Sequence, residues 1–304
     1  MKILLATDGS DSAKAAADFL LRFPFPQQSS VALLTVIDTS VFSDDSLSDL
    51  DEDQSQLLRQ TRQTIREDGE QLLAAEAARL REAGWLGSTE LRMGDPAEAI
   101  IQAAEELQPD LVVLGSHGLM GIKQFLLGSV SDRVRKHVRC SVLIVRPSPT
   151  LLLQPEPGKG AQPWRILVAY DDSEPARKAA ALCAALPLDE KAEVTVVNVM
   201  PVVHMYRQDV RQHLNEIWQQ KRHALATALN DAVGALRWST PHVSSELRES
   251  ADVAQEILDT ATKSGTDLIV LGYKGKTAIK RFLLGSITSR VAHHAPCSVL
   301  AVRD

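Results

Sequence analysis

The chain repeats itself, and that constrains its fold more than any other feature. Residues 3–10 read ILLATDGS and residues 166–173 read ILVAYDDS. DLVVLG at 110–115 returns as DLIVLG at 267–272, FLLGS at 125–129 as FLLGS at 282–286, and CSVLIVR at 140–146 as CSVLAVR at 297–303. Four matched segments in one order mean a duplicated domain of about 150 residues. The offset between partners drifts from 163 to 157, so the loops differ between copies. Between the copies lies PSPTLLLQPEPGKGAQP, with five prolines and two glycines, the composition of an interdomain linker. The expected boundaries are 1–146 for the first domain, 147–163 for the linker and 164–304 for the second domain.

Within a copy, Ile3–Thr7, Val31–Ile37, Leu111–Gly115 and Ser141–Val145 are short runs rich in Val, Ile and Leu. They lack polar alternation, as expected of parallel strands buried on both faces. Helical patterns lie between them. Ser10 can cap a helix running through the Ala-rich segment to Leu21. Leu50, Leu57, Leu58, Ile65, Leu72, Leu73 and Leu80 recur at helical spacing over 48–83, as in a helix covering a core. Pro96 stands where a helix can begin. The pattern predicts an α/β chain of two tandem Rossmann-like domains. Each is an open parallel sheet of five strands, order 3-2-1-4-5, with helices on both faces.

Composition removes several function classes. A net charge of −6 and 4% aromatic residues argue against wrapping nucleic acid. Cys140, Cys183 and Cys297 are too few and too scattered for a disulfide framework, and Cys140 and Cys297 are expected to start equivalent buried strands. The apolar run Ile3–Ala6 is short for a signal-peptide core, and no run approaches a membrane span, so the cytoplasm is the expected location. His204, His213, His223, His293 and His294 lack metal-ligand spacing.

In an open parallel sheet of this order, ligands bind beyond the carboxyl ends of the strands, where strand order reverses. Strand 1 ends at Asp8 and strand 4 at Gly115. From Gly115 the sequence reads G-x2-G-x9-G-S through Gly118, Gly128 and Ser129, and the same spacing runs through Gly272, Gly275, Gly285 and Ser286. Glycines let backbone approach a ligand closely, and exposed N–H groups cradle phosphate oxygens. Gly128-Ser129 opens a helix, with Ser129 and Asp132 spaced as a capping box, and a helix N-terminus favours an anion. Asp8 is suited to ribose hydroxyls, and Val36 to an adenine face. The spacing is neither a Walker A sequence nor GxGxxG. Two plainer roles stay open here: turn-forming for the glycines and helix capping for Asp8 and Asp171.

The chain resembles the universal stress protein family in a tandem two-domain form. GSHGLMGIKQFLLGSVS at 115–131 looks like that family's ATP-binding signature, and MGDPAEAI at 93–100 like another of its segments. The resemblance implies that Ala6, Thr7, Asp8 and Val36 surround adenosine, and that Gly115, His117, Gly118, Gly128, Ser129, Val130 and Ser131 hold ribose and phosphates. The matching positions of the second copy are Ala169, Tyr170, Asp171, Val199, Gly272, Lys274, Gly275, Gly285, Ser286, Ile287 and Thr288. Tyr170 in place of Thr7, and Ala251-Asp252-Val253 in place of Gly94-Asp95-Pro96, set the second copy apart. The resemblance further implies ATP as ligand, with Mg or Mn on the phosphates, association through the last strand of each domain, and a homodimer. No catalytic constellation is legible, and His117 reads as a loop residue rather than a base. The expected role is therefore nucleotide-dependent sensing or signalling in stress response, with slow hydrolysis compatible with it. The alternatives are a nucleotide hydrolase or adenylating enzyme of related fold, and a scaffold that has lost nucleotide binding. Lys123, Lys276, Lys280 and Arg281 lie within the nine-residue spacers, as phosphate attractors or solvated surface charge.

Overall fold

Runs of Val, Ile and Leu without alternation become strands covered on both faces, and each unit of the protein is built on them. A computed structural model describes residues 1–39, 52–118, 127–147, 162–202, 208–275 and 285–303. Most of the expected linker, both nine-residue spacers apart from Leu127, and also Leu50 and His204, lie outside the described residues. The chain divides into two compact units, residues 1–22 with 27–146, and residues 147–304 with 23–26.

In the first unit the strands are β1 (Lys2–Thr7), β2 (Ser30–Asp38), β3 (Leu86–Gly94), β4 (Leu111–Gly115) and β5 (Ser141–Val145). They lie in the order β3-β2-β1-β4-β5, all parallel. Register places Thr7 beside Thr35, Leu5 beside Val113 and Gly115 beside Val145, so the strands end on one edge. Ile3, Leu4, Leu5, Val112 and Val113 are fully buried, which accounts for their uninterrupted apolar sequence.

The helices are α1 (Asp11–Arg22), α2 (Glu52–Glu82), α3 (Pro96–Leu107) and α4 (Ser129–His137). Right-handed crossovers put α1 and α2 on one face and α3 and α4 on the other. Ser10 caps α1, its Oγ accepting from the Ala13 N–H at 3.2 Å. Ala13, Ala15, Ala16 and Ala17 are buried, and their small side chains let α1 lie close to the sheet. Only the later part of α2 serves the core: Ala77 and Leu80 are buried, Ile65, Leu72 and Leu73 half-buried, and Leu57 exposed. The capping box expected at Ser129 and Asp132 does not form. Gly128 is the N-cap and supplies no side-chain acceptor. Ser129 is already the first helical residue, and the Asp132 carboxylate accepts from Arg135 and Lys136 instead.

The second unit repeats the design with β6 (Trp164–Ala169), α5 (Glu174–Ala184), β7 (Ala192–Pro201), α6 (Gln208–Leu236), β8 (Val243–Ser250), α7 (Val253–Ser264), β9 (Leu268–Gly272), α8 (Ser286–His294) and β10 (Ser298–Val302). Its strands lie in the order β10-β9-β6-β7-β8, which is 3-2-1-4-5 read from the other side. Cys140 and Cys297 stand one residue ahead of β5 and β10 rather than inside them. Cys183 is buried in α5, and burial pushes its thiol up to about 12, so it carries no thiolate near neutral pH.

Candidate functional site

At the carboxyl edge of the first sheet, the ends of β1 and β4 face each other. The chain leaves β1 through Asp8, whose Oδ1 accepts the Ser10 N–H at 3.0 Å in a local turn. Asp8 is therefore not the cap of α1; that role belongs to Ser10. Its other oxygen faces Gly118, where an added Cβ would sit 2.8 Å from Oδ2. Gly128 closes the loop from behind. Its N–H donates to the Ser116 carbonyl at 2.8 Å, and an added Cβ would lie 3.2 Å from that oxygen and 3.4 Å from the His117 Cα. Asp8, Gly118 and the start of α4 are thus neighbours, although 110 residues separate Asp8 from Gly118.

Other candidate residues serve different purposes. A Cβ at Gly115 would meet the Ser12 carbonyl carbon at 2.6 Å and the Ala13 nitrogen at 2.8 Å, so this glycine is required by the packing of β4 on α1. Gly272 meets the Pro175 backbone the same way, at 2.6 Å. Ser131 is buried, and its hydroxyl donates to the Gly115 carbonyl at 2.7 Å; Thr288 donates to the Gly272 carbonyl at 2.9 Å. These hydroxyls fasten the helix to the strand end. Ser129 is exposed and Val130 half-buried at the start of α4, while Ala6 and Thr7 are buried and Val36 half-buried at the ends of β1 and β2.

In the second unit the equivalent edge opens as a shallow, half-open cavity of about 70 Å³. Every second-copy candidate lines it except Gly285 and Ser286. Gly285 donates its N–H to the Tyr273 carbonyl at 3.0 Å, and Ser286 is the first residue of α8. Five lining residues escaped the sequence reading: Ala176, Val197, Val253, Ile257 and Leu271. A signal existed for some of them. Val197 is two residues from Val199 on one strand, and Val253 and Ile257 are four apart on α7, so each pair shares a face.

The copies differ in their polar fittings. In the first, the His117 Nδ1 lies 3.0 Å from the Ser116 Oγ, and its Nε2 is buried with no hydrogen-bond partner. Burial, and then the Arg146 cation, lower the imidazole pKa, so the ring is neutral at neutral pH. In the second, Lys274 takes the place of His117, and Arg303 stacks on Tyr273 at 3.4 Å from the ring centroid. Tyr170 is buried, its hydroxyl donating to the Asp172 Oδ1 at 3.3 Å. Burial, and then the Asp172 carboxylate, raise the phenol's pKa.

One brace is common to both units. Asp95 caps α3 by accepting the Glu98 N–H at 2.8 Å, and it also accepts from Arg133 of α4 at 2.9 Å. Asp252 does the same for Gln255 at 3.1 Å and Arg290 at 2.6 Å. Ala251 in place of Gly94 therefore leaves the cap intact. The Glu98 N–H, followed by Arg133, holds the Asp95 carboxyl below the usual range. A lowered folded pKa stabilises above the unfolded value of about 3.9, and that stability is lost as pH falls through the folded pKa. Asp95→Ala should cost about 1 kcal/mol at pH 7, the usual worth of a cap. Urea denaturation should show the gap to the parent narrowing below about pH 4. A gap that widens in acid would refute the assignment.

The model of the universal stress protein family matches residues 1–146 and again 164–303. A universal stress protein of Bacillus subtilis is 32% identical over 145 residues, covering 48% of this chain and 98% of its own. One from Methanocaldococcus jannaschii is 34% identical over 145 residues, covering 48% of this chain and 81% of its own. The crystal structure of a universal stress protein from Archaeoglobus fulgidus aligns over 99% of this chain and 98% of its own, with a TM-score of 0.63 and 21% identity. That last likeness is one of fold.

Proposed function

The chain belongs to the universal stress protein family, and from that premise we propose that it binds ATP in each unit and acts by nucleotide-dependent sensing or signalling in stress response. The observation that carries the reading is the second unit's cavity at the carboxyl edge of its sheet. One wall is apolar, from Ala169, Val197, Val199 and Ile257, and suits a planar base. Asp171 lines the cavity and suits ribose hydroxyls, and Gly275 lies against its carboxylate. Behind the glycines stands the uncapped N-terminus of α8, where phosphate oxygens find N–H donors and the positive end of the helix dipole. The first unit repeats Asp8, Gly118 and Gly128 in the same relation.

No group of His, Cys, Asp or Glu among the described residues is assembled to hold a metal. In this reading a divalent cation enters on the triphosphate, which supplies oxygen ligands of its own. In this reading the residues at the site bind and orient, and the one hydroxyl–imidazole pair described there, Ser116 with His117 at 3.0 Å, holds the ring in place. Cytoplasmic residence and homodimerisation belong to the same proposal. Among the described residues, no helix is long and apolar enough to cross a membrane.

Calorimetric titration tests the ligand class. ATP should bind with a dissociation constant on the order of 1 μM, about −8 kcal/mol. Asp8→Ala combined with Asp171→Ala should weaken ATP and adenosine alike, by about tenfold to a hundredfold, because the lost partner is the ribose. Absence of heat and of thermal shift with every adenine nucleotide would defeat the reading. ATP turnover well above background, abolished by the same changes, would favour the enzyme.

A further inference from the structure

We propose that Lys274 makes the second unit's site select by phosphate number, while the first unit's site, with His117 in its place, binds nucleotides of different phosphate number more evenly. The proposal rests on the nucleotide reading above and concerns what divides two sites that share a motif. The two residues hold the same backbone position. A Cβ at Gly128 would lie 3.4 Å from the His117 Cα, and a Cβ at Gly285 would lie 3.3 Å from the Lys274 Cα. Each therefore stands at the N-terminus of the helix proposed to receive phosphate. Their side chains differ in charge and in direction of engagement. The His117 ring is held by the Ser116 hydroxyl through Nδ1, and its remaining nitrogen, Nε2, is buried. A neutral ring adds at most one hydrogen bond, whatever the charge on the ligand. Lys274 lines the cavity and brings a full cation, whose attraction grows with each phosphate added.

The helices behind them reinforce the difference. α4 carries Asp132 in its first turn, partly neutralised by Arg135 and Lys136, whereas α8 has no acidic residue there. The Asp–Arg brace is the same in both units, and so is the carboxylate facing the glycine loop, Asp8 or Asp171. Among the described residues these shared groups cancel in the comparison, which leaves position 117 against 274 as the charge difference that an exchange isolates.

The test exchanges the two residues in the full chain and titrates it with AMP and with ATP at low ionic strength. The parent should show two classes of site for ATP, separated by about tenfold or more, the worth of one charge-assisted hydrogen bond. AMP should bring the two classes closer together. Lys274→His should merge the ATP classes by weakening the tighter one. His117→Lys in the parent should merge them the other way, by tightening the weaker one. Raising salt should shrink the ATP separation in the parent. A separation that survives Lys274→His unchanged, or is equally wide with AMP, overturns the assignment and leaves nucleotide binding standing. Failure of any adenine nucleotide to bind the parent overturns the nucleotide reading, and this inference with it. Because each change imports the residue of the other repeat, melting curves of the swaps should match the parent, and a swap that melts early is replaced by Lys274→Met.

Discussion

Gly115→Ala should lower the melting temperature by several degrees, while Gly234→Ala should raise it slightly. Both add one methyl, and the surroundings decide the sign. At Gly115 the new Cβ falls 2.6 Å from the Ser12 carbonyl carbon and 2.8 Å from the Ala13 nitrogen. Those are backbone atoms in the first turn of α1, so no side chain can swing aside. The helix must move off β4, and overpacking of this kind costs about 1–3 kcal/mol. For a domain of this size each kcal/mol is worth roughly 2–4 °C. At Gly234, exposed near the end of α6, the added methyl has nothing within 4 Å. There alanine restricts the unfolded chain and favours the helix by about 0.5–1 kcal/mol. Gly272→Ala should behave like Gly115→Ala, because it meets the Pro175 backbone at the start of α5. Differential scanning calorimetry reads all three. A Gly115→Ala protein that melts with the parent would mean α1 yields freely, and the packing account would be wrong.

This glycine shows where sequence reasoning stops. The duplication made β1, β4 and β5 and their counterparts legible, because strands buried on both faces keep an unbroken Val, Ile and Leu signal. It also made the G-x2-G-x9-G-S spacing stand out. What it could not separate was the reason for each glycine. Gly115 faces the α1 backbone, Gly118 the Asp8 carboxylate, and Gly128 the Ser116 carbonyl, three causes within one motif. Sequence spacing carries no record of which neighbour stands opposite. The same limit explains Ser131 and Thr288. Their hydroxyls suit phosphate as readily as a carbonyl, and only the fold reveals that Gly115 and Gly272 accept them. The edge strands β3 and β8 were hidden for another reason. Each carries a Glu and an Arg two apart on one face, Glu90 with Arg92 and Glu246 with Arg248, paired at 2.6 Å and 2.8 Å. Charges of that kind protect a sheet edge from further pairing, and they erase the apolar run that marks an interior strand. The cavity wall from α7 carried no mark in the sequence, because apolar residues four apart such as Val253 and Ile257 suit the core face of any amphipathic helix.

Gly128→Val made together with Gly285→Val should weaken ATP by about tenfold to a hundredfold or more, and leave adenosine within a few-fold of the parent. The lower bound is the worth of a lost hydrogen bond to a charged group. The backbone at both positions is extended rather than left-handed, with φ of −63° at Gly128 and −60° at Gly285, so a side chain brings no conformational strain. A Cβ would be close but tolerable, 3.2 Å from the Ser116 oxygen and 3.3 Å from the Lys274 Cα. The fold should therefore survive, which makes the loss attributable to the ligand. Beyond the Cβ, the valine methyls stand at the N-terminus of the helix, where phosphate oxygens must come within about 3 Å of backbone N–H groups. No functional group is removed; only approach is blocked. Gly118→Ala made together with Gly275→Ala supplies the contrast. There the new Cβ lies 2.8 Å from the Asp8 Oδ2 and 2.9 Å from the Asp171 Oδ2, so it displaces the carboxylates proposed to hold ribose. That pair should weaken ATP and adenosine together. Parallel titrations of both variants thus separate a phosphate defect from a nucleoside defect in one protein. If the valine pair binds ATP as the parent does, the helix N-termini are not the phosphate site. The glycines at 128 and 285 then serve only to bring α4 and α8 onto their loops, and the phosphates are held elsewhere; a parent protein that itself binds no adenine nucleotide is instead a scaffold of this family that has lost nucleotide binding.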